Sequence, residues 1–220
     1  MKTLLTNAKV IDPVTETISD GEIMFEDGII ISREKEDKTI DCQGLYLSPG
    51  LIDLGVKVGE PGERHKESYK SAGAAAAAGG VTTIVTRPDT HPAIDTPEVL
   101  EFIRRRAHEV CPVNVVHMAA LTKERAGREM TEIGFLKDAG AIAFTDFNNV
   151  VRNSKILSRA LSYAKSMDAL VIGHPQDPDL SDDTVATSGK FASLRGLPSV
   201  TPLAERMGLD RDMAVSYTHL

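Results

Sequence analysis

The stretch from Pro49 to Gly62 reads PGLIDLGVKVGEPG. Ile52 to Val58 is a short apolar run broken by Asp53, and glycine and proline follow at once. That is how a buried strand running into a functional loop reads. Successive side chains of a strand point to opposite faces, so Gly55 and Lys57 share one face while Leu54, Val56 and Val58 share the other. Many hydrolases place two histidines at such i and i+2 positions to grip one metal ion. Here the pair is a glycine and a lysine.

Upstream of this strand, LLTNAKVID, EIMFEDGIIIS and KTIDCQGLYLSPG read as short strands. The step Glu26-Asp27-Gly28 between apolar runs is a hairpin signal, and alternation in the flanks predicts half-buried antiparallel strands. Residues 1–48 are therefore expected to form a small β segment. Downstream the period changes. The pattern predicts a helix over 66–78 closed by Gly79-Gly80, the strand VTTIVTRP, and a helix opened by Thr96-Pro97 and running to about Val110. VNVVHMAAL follows as a strand, 129–138 as a helix, AIAFTDF as a strand, 154–167 as a helix and ALVIGHP as a strand, with a last helix from Val200. On the helix over 154–167, Ile156, Leu157, Ala160, Leu161 and Ala164 form one apolar stripe. Strands alternating with helices of this length imply parallel βαβ units, in a doubly wound sheet or a (β/α)8 barrel.

Composition narrows the function classes. The chain has 220 residues and a net charge of −7, which speaks against a nucleic-acid surface and suits a soluble cytoplasmic protein. Cys42 and Cys111 are far apart and form no C-x-x-C, so neither a zinc ribbon nor a disulfide framework is signalled. No apolar run approaches the roughly 20 residues that cross a bilayer, and no membrane association is expected. AGAAAAAGG lacks the Gly-Lys-Ser/Thr step of a phosphate loop and reads as a close-packing helix.

PGLIDLGVKVGEPG, the following His65-Lys66-Glu67, the Ala/Gly-rich helix and RPDTHPAIDT at 87–96 together resemble the dihydroorotase branch of the amidohydrolase superfamily. In that branch the pattern is roughly PGxIDxHxHxREPG followed by His-Lys-Glu and PNTxP. The resemblance implies a (β/α)8 TIM barrel of amidohydrolase type at 49–214, with 1–48 as part of a β-sandwich. Because a barrel takes about 250 residues by itself and only about five βα units are countable here, a barrel truncated after those units is expected. Residues 215–220, VSYTHL, depart from the family pattern and are expected to be a foreign tail, so His219 carries no functional weight.

The resemblance also implies zinc, which needs at least three protein ligands and serves to activate a water. Its two strand-1 histidines fall on Gly55 and Lys57, its strand-4 acid on Phe147, its substrate-gripping arginine on Gly59 and its substrate-gripping asparagine on Asp89. His174, in GHPQDPDL, matches the strand-5 ligand and is the one recognisable ligand position retained. Asp146 survives beside Phe147 but is expected to point the other way along the strand. By itself His174 reads as a hydrogen-bonded strand-end histidine, and no bound metal is expected. His117, His65, His91 and His108 read as structural or solvated, and Asp53, Asp89, Asp146 and Asp177 as loop or helix caps.

Two functions follow from the resemblance. One is a catalytically inactive, oligomeric homologue that serves as an assembly scaffold for aspartate transcarbamoylase, as such homologues do in some bacteria. The other is an active dihydroorotase or related cyclic-amide hydrolase with an altered metal site, interconverting carbamoyl aspartate and dihydroorotate. In the first, Lys57 is expected to stand in for the metal by pairing with a neighbouring acid.

Overall fold

A computed structural model describes residues 1–217, and the chain divides into two compact units that meet in sequence at Leu51/Ile52. Val215 to Tyr217 continue the last helix, and His219 lies outside the described residues.

The first unit is a five-stranded sheet of β1 (Thr3–Asp12), β2 (Thr17–Glu26), β3 (Ile29–Ile31), β4 (Lys38–Asp41) and β5 (Tyr46–Leu47), in the order β3-β2-β1-β4 with β5 also on β1. The hairpin signal at 26–28 is a real turn: Asp27 (φ 50°) and Gly28 (φ 82°) are both left-handed and join β2 to β3 antiparallel. The flanks of that turn pair antiparallel as expected, whereas β4 and β5, on which the hairpin signal does not bear, run parallel to β1. Local alternation reports burial on one face and carries no information on strand direction. Leu4, Ala8 and Met24 are the buried apolar side chains of this unit.

The second unit opens with β6 (Leu51–Val56), α1 (Tyr69–Ala78), β7 (Val81–Thr86), α2 (Pro97–Val110) and β8 (Asn114–Ala119). It continues with α3 (Ile133–Asp138), β9 (Ala141–Phe144), α4 (Ser154–Ser166), β10 (Leu170–Val171), α5 (Pro178–Ser181), β11 (Ala186–Thr187), α6 (Lys190–Arg195), β12 (Ser199–Val200) and α7 (Pro202–Tyr217). The strand order β10-β9-β8-β7-β6, with β7 to β10 pairing parallel, gives an α/β half-barrel. Its main core lies between strands and helices and includes Tyr69, Ile94, Leu100, Ile103, Ile133, Leu136 and Phe144. Val85, Met118 and Ala143 form a smaller cluster on the other face of the strands, as strand alternation requires.

Several boundaries move for local reasons. α1 starts at Tyr69 because Ser68 and Ser71 form a reciprocal capping box. α3 starts at Ile133 because the backbone of 129–131 pairs instead with Leu121 to Lys123, through the Thr122/Met130 bridge and the Thr131 N–H to Leu121 carbonyl bond of 3.1 Å. β9 stops at Phe144, three residues before the end of AIAFTDF, because Phe147 turns left-handed (φ 52°) with its N–H on the Thr145 hydroxyl at 2.9 Å. In α4 the stripe is as expected: Leu157, Ala160 and Ala164 are buried, with Ile156 and Leu161 packed beside them.

Candidate functional site

The carboxyl ends of the parallel strands, where barrels carry their chemistry, gather Lys57 beyond β6, Arg87 and Asp89 beyond β7, and Phe147 and Asp146 beyond β9. Arg87 forks onto Asp89: its Nε donates to Oδ1 at 3.0 Å and its Nη2 to Oδ2. The same guanidinium lies over the Phe147 ring, 3.7 Å from its centroid, within the range of a cation–π contact. Lys57 approaches Asp89 Oδ2 at 3.5 Å and Glu63 at 3.8 Å, and Lys66 also pairs with Glu63. The Asp89 side chain is 7% exposed, Arg87 15% and Lys57 49%. Burial pushes the Asp89 carboxyl towards neutrality, but its hydrogen bonds and charge contact with Arg87, helped by Lys57 and Arg125, win and hold it below the usual carboxylate range.

From a former ligand position Lys57 does reach an acid, Asp89, yet Arg87 is the main partner. No motif in the sequence marks Arg87, because a lone strand-end arginine carries none. Its signal was the Arg-x-Asp spacing, which lets a side chain fork onto the acid two residues on.

Gly55 has φ +85°, a region that glycine occupies freely and L-residues seldom do, and a Cβ built there would stand 3.4 Å from the Phe147 ring. Gly59 is enclosed by its own loop: a Cβ would lie 2.5 Å from the Glu63 carbonyl oxygen and 3.0 Å from that of Glu67. The backbone has therefore settled around two glycines where the resemblance puts a metal ligand and a substrate contact.

Asp146 is buried and accepts from the Leu121 N–H at 3.1 Å, the Thr122 N–H at 2.9 Å and the Thr122 hydroxyl. Burial raises its pKa against those bonds and the nearby Arg125 charge. It is a clamp between the ends of β8 and β9, occupied by three donors. His174 is exposed, with Nε2 2.9 Å from the Gln176 side-chain oxygen. Asp177 caps α5, accepting from the N–H groups of Asp179 and Leu180, and Asp95 accepts from the Glu124 N–H at 2.8 Å. His65 and His91 are exposed. His117 is buried in β8, its Nδ1 2.8 Å from the Thr86 hydroxyl and its ring edge-on to Tyr69. Burial, with the Arg104 charge, pushes its pKa down to about 4.

These residues do not fit a zinc ion. Two cations and an aromatic ring stand at or beside the ligand positions, and no group of three or more His, Cys, Asp or Glu among the described residues could hold a metal. The cavity beside His174 and Asp146 measures 30 Å³, room for water and not for a ring substrate. A cavity of about 670 Å³ lies against α2 at Glu101, Arg104, Arg105 and His108 and meets β8 from its start at Asn114. The strand-end residues Lys57, Asp89 and Phe147 are not among those that line it.

A family model described as dihydro-orotase-like matches residues 44–213. The chain belongs to the dihydroorotase-like family. A dihydroorotase of Syntrophus aciditrophicus is 37% identical over 223 residues, covering 98% of this chain and 52% of that protein. A dihydroorotase-like protein of Pseudomonas putida is 37% identical over 215 residues, covering 95% and 51%. The L-hydantoinase (dihydropyrimidinase) of Arthrobacter aurescens superposes with a TM-score of 0.80 at 18% identity over 99% of this chain and 51% of that one, a likeness of fold. The chain thus spans about half the length of the curated relatives it matches.

Proposed function

We propose that this chain is a non-catalytic member of the dihydroorotase-like family, kept in the cytoplasm as an oligomeric scaffold that assembles with aspartate transcarbamoylase in pyrimidine synthesis. The observation that carries the loss of catalysis is the ion cluster of Lys57, Arg87 and Asp89 capped by Phe147: Lys57 and Phe147 stand where a metal site needs neutral or anionic ligands, and Arg87 adds a second positive charge against the Phe147 ring. Naming of the relatives as dihydroorotases supports the pathway. The partner follows from the family resemblance, in which inactive homologues accompany that enzyme.

The test has two arms. Purified protein is expected to carry no stoichiometric zinc and to show no interconversion of carbamoyl aspartate and dihydroorotate, with or without added zinc. It is also expected to co-elute with aspartate transcarbamoylase when the two are co-expressed. About one zinc per chain together with ring closure would overturn the non-catalytic reading, and separate elution would overturn the scaffold.

A further inference from the structure

We infer that the Arg87 guanidinium is the resident cation of the half-barrel mouth, an organic ion held where the fold would otherwise hold a divalent metal. The inference rests on the non-catalytic reading and adds to it which group fills the site and how. Three observations converge on Arg87. It is forked onto Asp89 by two parallel hydrogen bonds, the arrangement that a planar guanidinium makes and an ammonium cannot. Its flat face lies on Phe147, the residue at the strand-4 ligand position, so the ring that replaces a carboxylate also supplies the platform for the cation. Both partners are largely shut from water, Asp89 at 7% and Arg87 at 15% exposure, so the attraction is less screened than at the surface.

Lys57, half exposed and 3.5 Å from the same Oδ2, supplements the charge without closing the site. Gly55 faces the Phe147 ring from the end of β6 with a left-handed backbone (φ +85°), and a Cβ there would make ordinary contact with the ring edge at 3.4 Å. A divalent ion entering here would meet a guanidinium, an ammonium and one acid already taken by both. Phe147, Arg87 and Asp89 are thus a matched set: the aromatic ring is useful because an arginine stacks on it, and the arginine is stable because the acid is there to receive it.

The experiment is chemical rescue on the 220-residue chain. Arg87→Gly is expected to lower the thermal midpoint by about 5 °C or more, the loss expected when one partner of a buried pair is orphaned. Millimolar methylguanidinium is expected to restore most of that loss along a saturable curve. Ammonium, sodium and zinc at the same concentration are expected not to, and Asp89→Asn in the Arg87→Gly background is expected to abolish the rescue. Arg87→Lys, which keeps the charge and loses the fork and the stack, is expected to fall between wild type and Arg87→Gly, and it supplies the comparison if the glycine variant does not fold. An unchanged midpoint in Arg87→Gly, rescue by simple salt, or an Arg87→Lys midpoint equal to wild type would each overturn the inference. Ring hydrolysis by wild type with rescue intact overturns the non-catalytic reading alone. An inactive wild type whose Arg87→Gly variant is stabilised by zinc and not by methylguanidinium overturns the resident cation alone.

Discussion

Asp89 is kept ionised against its own burial by Arg87. A carboxyl whose folded pKa lies below its ordinary 3.8 contributes stability that is full above that value and is lost as pH falls through the lower folded value. Asp89→Asn is therefore expected to cost about 2 kcal/mol at pH 7, with the gap to wild type closing below about pH 4, as read from urea midpoints. Lys57→Ala is expected to cost less than about 1 kcal/mol, because its side chain is 49% exposed and such pairs are weak. A larger loss would show that Lys57, and not Arg87, holds the acid. His117 loses stability in a different window. Its folded pKa of about 4 lies below the ordinary 6.5, so between those values the unfolded chain takes up a proton that the native chain refuses. Stability falls with pH across that window by about 3 kcal/mol in all. His117→Gln is expected to flatten that slope, and an unchanged slope would mean the imidazole opens to water on acidification. The substitutions at Gly55, Lys57 and Phe147 were legible in the sequence because a motif fixes where ligands belong. Arg87 was not, since nothing local tells a stacked, forked guanidinium from a solvated one.

Helices α1 and α7 show how elements are fastened by absent side chains. A Cβ at Gly73 in α1 would stand 2.4 Å from the Cys111 sulfur and 2.6 Å from Pro112 Cδ, and one at Gly208 in α7 would stand 2.4 Å from the Gln176 nitrogen. Alanine favours an isolated helix over glycine by about 1 kcal/mol, while overpacking costs about 1–3 kcal/mol, and against backbone atoms little can give. Gly208→Ala is therefore expected to lower the thermal midpoint, and Gly73→Ala to do so less, because a sulfur can shift; a gain at Gly208 would show that α7 slides freely over 175–176. Element types were legible from period and caps, as in α2 with Pro97 at its start and α4 with its apolar stripe. Boundaries were less so, because tertiary pairing sets them: the Thr122/Met130 bridge takes the first turn expected of α3, and the left-handed Phe147 ends β9. The last helix, expected from Val200, buries Ala204 and Gly208 and leaves its Leu203, Met207 and Met213 51%, 45% and 60% exposed. Small residues pack closely and leave no hydrophobic period to read.

For the whole chain, the half-barrel presents β6 and β10 as the two ends of its strand order. Unpaired strand edges offer a row of backbone donors and acceptors to any other strand. Leu51, Ile52 and Leu54 on β6 are 61%, 64% and 74% exposed, and Leu170 on β10 is 60%. Exposed apolar side chains on both edge strands, with Leu203, Met207 and Met213 of α7, give these edges apolar surface that association would cover. The net charge of −7 opposes it, but exposed charges act over only about 8 Å at physiological salt. The 220-residue chain is therefore expected to self-associate, with a weight-average mass in sedimentation velocity that rises with protein concentration and rises further with added salt. Charged substitutions should act by position: Leu54→Lys, at the β6 edge, is expected to reduce association, whereas Val14→Lys, in the β1–β2 turn and 90% exposed, is expected to leave it unchanged. A monodisperse monomer at all concentrations would show that these edges are covered within the chain itself.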